Sequence, residues 1–246
     1  MSVELLVSSF SAKGAELYGY RCVSTFREYW PQPMVVYVDQ KMEMEGVDLR
    51  LTYHIPQWLQ VRRRLPFMGH PYGWKPTSFI WNAAKFGVKP FVWLDAAKEL
   101  EDGILTWVDG DTVAIGRAPK GLTEDILDGA WVGYLGRGVM HPEMGYVSFR
   151  IPEALPLIKR CCQIYSTRQY RHMTDGWTDC HVFRAALLSA DMQKIRNNSL
   201  DFTSSLHPGV WRSSVDAVAL SPVGQYMEHL KGDRKLPKDE TGSPIR

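Results

Sequence analysis

Two stretches of the chain, Met34–Val38 and Ile104–Val108, are apolar at almost every position. An amphipathic strand would alternate, so such runs predict strands covered on both faces. Val3–Phe10 is a third short run of strand formers, closed by the polar, Gly-containing turn Ser11–Gly14. After it, Leu17, Tyr20, Val23, Phe26 and Trp30 recur at helical spacing and stop before Pro31, which predicts a helix over 15–30. A weaker strand falls at 48–54, and 57–75 reads as a short helix followed by irregular chain. Helices are expected over 78–86, 90–100, 151–168 and 178–188, with strands over 129–134 and 144–149. From Asn197 onward the pattern is loop-rich, and 236–246 reads as a polar tail. Strands alternating with helices predict an α/β fold with a mixed, mostly parallel central sheet. Ligands of such sheets bind beyond the carboxyl ends of the strands, here at Asp39 and Asp109–Asp111.

Composition narrows this picture only a little. With 246 residues, 45% hydrophobic and 23% charged, the chain has the proportions of a soluble globular protein of one domain or slightly more. A net charge of +2 makes no case at that level for nucleic-acid binding. Cys22, Cys161, Cys162 and Cys180 fit no zinc spacing, and free thiols in a reducing compartment are expected. No apolar run has the length of a membrane span, and Val3–Phe10 is too short for a signal peptide. The expectation is a soluble, cytoplasmic protein without membrane insertion.

The most informative chemistry is Asp109-Gly-Asp111 at the end of a buried strand. Two carboxylates one residue apart can hold a hard divalent cation, Mn²⁺ or Mg²⁺, which neutralises a diphosphate. Gly110 would let the backbone pass close to the ligand. The same residues also suit a chain-reversing turn, and alone they leave the two readings level. Far downstream stands His229-Leu-Lys-Gly232-Asp-Arg-Lys235. Its imidazole is a competent third ligand, and its lysine a point charge for phosphate.

An Asp-X-Asp followed much later by His-X-X-Gly-X-X-Lys resembles the GT-A glycosyltransferases related to glycogenin and the bacterial lipopolysaccharide galactosyltransferases. The resemblance implies a Rossmann-like GT-A fold over 1–235, with a nucleotide-sugar-binding half (1–115) and an acceptor half (116–235) that carries the C-terminal metal loop. It implies Asp109, Asp111 and His229 as metal ligands, Lys235 and Gly232 at the donor diphosphate, and a nucleotide sugar, UDP-linked in the first instance, as donor. Pro142–Phe149 is similar to the strand that lines the sugar and acceptor pocket, and Asp175–His181 to the segment beneath the reacting sugar. Asp179 is then the first choice of catalytic carboxylate and Glu143 the second, with inverting and retaining transfer both open. Ser9, Phe10 and Asp39 would flank the nucleotide, and Lys85 would reach phosphate or sugar unless it is a solvated helix lysine.

The chain also resembles small glycosyltransferase-like proteins often encoded by bacteriophages, through Ser9–Gly14, Tyr18-Gly and His229–Lys235. That likeness places it in host cytoplasm and brings in hydroxylated DNA bases as acceptor beside a glycan. Arg62-Arg63-Arg64 near Trp58, Phe67, Tyr72 and Trp74 would suit a nucleic-acid rim, or equally a solvated helix face over local core aromatics. Lys235 is followed by Leu-Pro where the glycogenin pattern has Pro-Trp, and His207 is a competing metal ligand. The rival functions are a nucleotidyltransferase, for which no Gly-X-X-X-X-Gly-Lys-Ser/Thr loop is found, and a non-catalytic nucleotide-sugar binder on the same scaffold. A hydrolase built on Cys180 and His181 ranks last, because adjacent helix residues point about 100° apart.

Overall fold

The structure, a computed structural model, describes residues 3–65, 79–138, 140–203 and 214–230. Strand β1 (Val3–Phe10) leads into a continuous helical stretch of three pieces, Ala12–Gly14, Ala15–Gly19 and α1 (Tyr20–Tyr29). Next come β2 (Met34–Val38), β3 (Asp48–Leu51), α2 (Val88–Ala96) and β4 (Gly103–Val108). The second half holds β5 (Thr112–Ala114), β6 (Val132–Leu135), β7 (Glu143–Ile151), α3 (Leu155–Ser166) and α4 (Asp179–Leu188), then β8 (Ser199–Asp201) and β9 (Met227–His229). No helix among the described residues is long and apolar enough to cross a membrane.

Seven strands form one sheet in the order β3-β2-β1-β4-β7-β6-β8. The run from β3 to β4 is parallel, β7 lies antiparallel to both neighbours, and β6 and β8 are parallel. This is the expected α/β class with a mixed, mostly parallel sheet. A separate two-stranded ribbon joins β5 to β9, with Thr112 opposite His229.

The continuous apolar runs are explained by what lies on each face. Leu5, Val7, Val35, Tyr37, Leu105 and Trp107 point into a core shared with α2, α3 and α4. Leu6, Val36, Val38, Ile104 and Val108 point the other way, against Cys22, Val23 and Phe26 of α1. Alternate residues of one strand thus feed two cores, and no position is left for a polar side chain facing water. Trp93 and Phe149 meet at 5.2 Å between ring centroids near the middle of the first core.

The chain departs from its sequence pattern in three places. The helix expected from residue 151 starts at Leu155, because β7 keeps pairing until Ile151 meets Gly103. The region after Asn197 contains β8 and β9, three-residue strands too short to show any periodicity. And 48–54 is strand only to Leu51, closing in the 3₁₀ turn Thr52–His54.

Phe149→Ala should lower unfolding free energy by about 3–5 kcal/mol through the cavity it leaves, read by urea denaturation. Val3→Ala, at a side chain 59% exposed, should change it by about 0.5 kcal/mol or less. Equal losses would contradict this placement of the core.

Candidate active site

A cleft of about 560 Å³ opens beyond the carboxyl ends of β1, β2 and β4, and its lining includes Ser9, Phe10, Asp39, Lys85, Asp109 and Asp111. Tyr18, Trp58, Arg62 and Lys89 share that lining. Three consecutive parallel strands end side by side there, which is why residues so far apart in sequence converge.

The Asp109–Asp111 segment is both things the sequence allowed. Thr112 N–H donates to the Asp109 carbonyl at 2.9 Å, closing a turn that sends the chain into β5. The turn nevertheless leaves both carboxylates facing the cleft, with side chains only 18% and 10% exposed. Gly110 is demanded by packing on its inner side, since a Cβ there would stand 2.7 Å from Phe10 Cδ1. Phe10 itself is 7% exposed and belongs to the core, so it forms the cleft floor as a packed ring. Asp39 sits at the rim, where its Oδ1 accepts from Ala12 N–H at 2.8 Å.

His229 comes to the same point from the other end of the chain. Pairing of β9 with β5 places its Nε2 2.9 Å from Asp111 Oδ1 and 3.8 Å from Asp109 Oδ2. The sequence pattern is loop-rich from Asn197 onward; instead the imidazole closes a strand and is fully buried. Gly145 of β7 makes room for it, because a Cβ there would come within 2.5 Å of Nδ1. Glu143 lies on the far edge of the ring, with Oε1 3.5 Å from Nδ1, and also accepts from Gly145 N–H at 3.2 Å. Donor atoms of Asp109, Glu143 and His229 all fall within 4.8 Å of one another.

Lys89 is the site residue that the sequence did not single out. Its ammonium donates to Asp109 Oδ1 at 2.6 Å and pairs closely with Asp179 Oδ2, over the face of Trp107. Trp107 Nε1–H donates to the same Asp109 Oδ1 at 2.9 Å. Burial alone would push the Lys89 ammonium down, but the two carboxylates outweigh it and hold it above the usual range. Burial pushes the Asp179 carboxyl up and the Lys89 charge pulls it back, leaving it somewhat raised. Burial, with the charges of Asp111 and Asp109, also pushes the Tyr18 phenol up. A signal for Lys89 did exist: the helix before β4 runs back along it, so its first turn must lie beside the end of β4, at Asp109. Lys85, the lysine the sequence singled out, does line the cleft, with its Nζ 5.3 Å from the Phe86 ring centroid.

Cys180 and His181 do not form a thiolate pair. Their Sγ and Nδ1 are 3.8 Å apart, Thr178 Oγ1 contacts both, and burial pushes the thiol up to about 12. Gly232, Lys235, His207, Phe67, Tyr72, Trp74 and the 236–246 tail lie outside the described residues.

No protein-family model matches the chain, and no curated protein matches it. Among solved structures it is similar to the apo form of mouse xyloside xylosyltransferase 1, at 9% identity and a TM-score of 0.48. The likeness covers 77% of this chain and 83% of that one. At that level no residue correspondence follows, and the chemistry rests on the side chains themselves.

Lys89→Met would leave Asp109 and Asp179 without their shared cation, and should cost about 3–5 kcal/mol of stability at neutral pH. Lys89→Met/Asp179→Asn should recover part of that loss. Denaturation midpoints identical in wild type and Lys89→Met would show that the three groups are not coupled.

Proposed function

We propose that the cleft carries out metal-dependent glycosyl transfer from a nucleotide sugar to a hydroxyl-bearing acceptor. The observation that carries this reading is the meeting of Asp109, Asp111 and His229 from two distant segments at the mouth of a parallel sheet. Two carboxylates and one imidazole form an O,O,N donor set suited to Mn²⁺, with Mg²⁺ the harder alternative. The geometry fits such an ion: both aspartate oxygens face one nitrogen, Nε2, at 2.9 and 3.8 Å, and a bound cation would take the place of the Nε2–Asp111 contact. When bound, the ion supplies a Lewis acid for the diphosphate of the donor.

The chain's own groups define the rest. Ser9, Asp39 and Tyr18 line the part of the cleft next to β1 and β2, where the nucleoside of the donor fits. Glu143 Oε1, 3.5 Å from Nδ1 behind the ring, stands where the outer partner of a metal-binding histidine would, with Nε2 turned to the aspartates. Lys89 ties Asp109 to Asp179, so the carboxylate nearest the sugar is fixed relative to the ligands of the ion. Transfer breaks the bond between the sugar C1 and the phosphate oxygen, and its electron pair leaves with the nucleoside diphosphate. A new bond forms from C1 to the acceptor oxygen, whose proton passes to a carboxylate, Asp179 first and Glu143 second, or to the leaving phosphate. Positive charge already present at Lys89 strengthens its hold as the diphosphate gains charge, which is where binding energy lowers a barrier. On this reading the 116–235 half, which supplies Glu143, Asp179 and His229, is the acceptor side.

Thermal melting with a panel of nucleotide sugars, each with Mn²⁺ and with EDTA, tests this. A donor ~100-fold above its Kd stabilises the folded state by about 2.7 kcal/mol, a rise of roughly 5–10 °C for a chain of this size. The rise should need Mn²⁺, appear with one nucleotide family, and vanish in Asp111→Asn. A full rise in EDTA, or in Asp111→Asn, would remove the metal from the account. No rise with any donor would remove nucleotide-sugar binding.

A further inference from the structure

A second constellation of ligating groups lies beside the first, at the start of β7 and the start of α4. His141 precedes β7 by two residues, Asp175 sits in the loop before α4, and His181 is in the first turn of α4. Their donor atoms all fall within 4.8 Å of one another. His141 Nε2 is 3.5 Å from Asp175 Oδ2, and the His141 and His181 ring centroids lie 3.7 Å apart with the planes tilted by 41°. Donors at about 2.0–2.1 Å from a tetrahedral ion stand about 3.3 Å apart, so small movements of these side chains suffice to close around one.

We infer that His141, Asp175 and His181 form a binding site for a divalent transition-metal ion of the Zn²⁺ class, clamping the turn before β7 to the cap of α4. This inference does not rest on the glycosyl-transfer reading. Two features distinguish the cluster from two histidines merely packed together. First, Thr178 Oγ1 lies 2.6 Å from His181 Nδ1, the outer hydrogen bond that leaves Nε2 as the ligating nitrogen. Second, His141 Nδ1 is buried and has no hydrogen-bond partner among the described residues. No protein group therefore holds the ring away from the cluster, where its Nε2 faces Asp175.

The choice of ion follows from the surroundings. Arg137 and Arg184 bring positive charge to this corner, and the Asp175 side chain is the one carboxylate of the cluster. A hard cation held by charge alone gains little there. An ion bound through imidazole donation does not depend on charge alone, which favours Zn²⁺ or Co²⁺ over Mg²⁺. Asp175 is 54% exposed, so the fourth position faces solvent. The site lies two residues from Glu143 and four from Asp179, counting from His141 and Asp175. A bound ion would therefore fix the loops that present both carboxylates.

The test is Zn²⁺ titration of the full chain in excess Mg²⁺, by calorimetry, with Co²⁺ absorption as the spectroscopic readout. Wild type should bind one Zn²⁺ equivalent and show the intense visible bands of a low-coordinate Co²⁺ site. His141→Gln and Asp175→Asn should each weaken Zn²⁺ by about 100-fold or more, at least the loss seen when an outer partner alone is removed. Far-UV circular dichroism should be unchanged. Asp111→Asn should keep this Zn²⁺ site, which separates the outcome from the fate of the Asp109–His229 cluster. If His141→Gln misfolds, Asp175→Asn, altered at a half-exposed side chain, still decides. Zn²⁺ binding of unchanged affinity in Asp175→Asn, or no binding in wild type, overturns the inference.

Discussion

The structure turns on a carboxylate that a fully buried strand delivers to the edge of its sheet. β4 is covered on both faces along its whole length, so Asp109 emerges from an apolar surrounding with no bulk water behind it. A charge there must be met by other charges or donors, because burying it alone would be prohibitive. Lys89, Trp107 Nε1–H and His229 are the groups that meet it, and each comes from a different element. Satisfying one carboxylate therefore fixes α2 against β4 and brings the C-terminal ribbon to the cleft. Through Lys89 it also draws in Asp179 at the start of α4.

How much of this could be read from the sequence depended on the length of the signal. The buried strands were legible because two cores leave no polar positions on Met34–Val38 or Ile104–Val108. Asp109 and Asp111 were legible because acidic residues at the end of such a strand have no structural use inside it. β9 was not, since Met227-Glu-His229 is too short to show a period and draws its stability from pairing with β5, over a hundred residues earlier. His229 was found through its spacing to Gly232 and Lys235, yet its complete burial came as a tertiary effect of that pairing. Lys89 was missed because a lysine in the first turn of an apolar helix reads as a solvated cap unless the antiparallel course of helix and strand is traced.

Asp109 and Asp111 line the cleft beyond the end of β4, with His229 of β9 buried beside them, and His141, Asp175 and His181 gather where the loops before Glu143 and Asp179 meet. Carboxylates and one imidazole suit a hard ion that must release a diphosphate, and paired imidazoles suit a softer ion that stays in place. On the two proposals, the first cluster provides the chemistry and the second holds the loops that carry Glu143 and Asp179.

The most direct measurement of the central claim is electron paramagnetic resonance of Mn²⁺ titrated into the protein with a nucleoside diphosphate present. The account predicts that wild type removes the six-line signal of free Mn²⁺, more strongly with the diphosphate than without it, and that Asp111→Asn leaves the signal in place. Free Mn²⁺ at the same level in both proteins would contradict the assignment of Asp109, Asp111 and His229 as the seat of the ion.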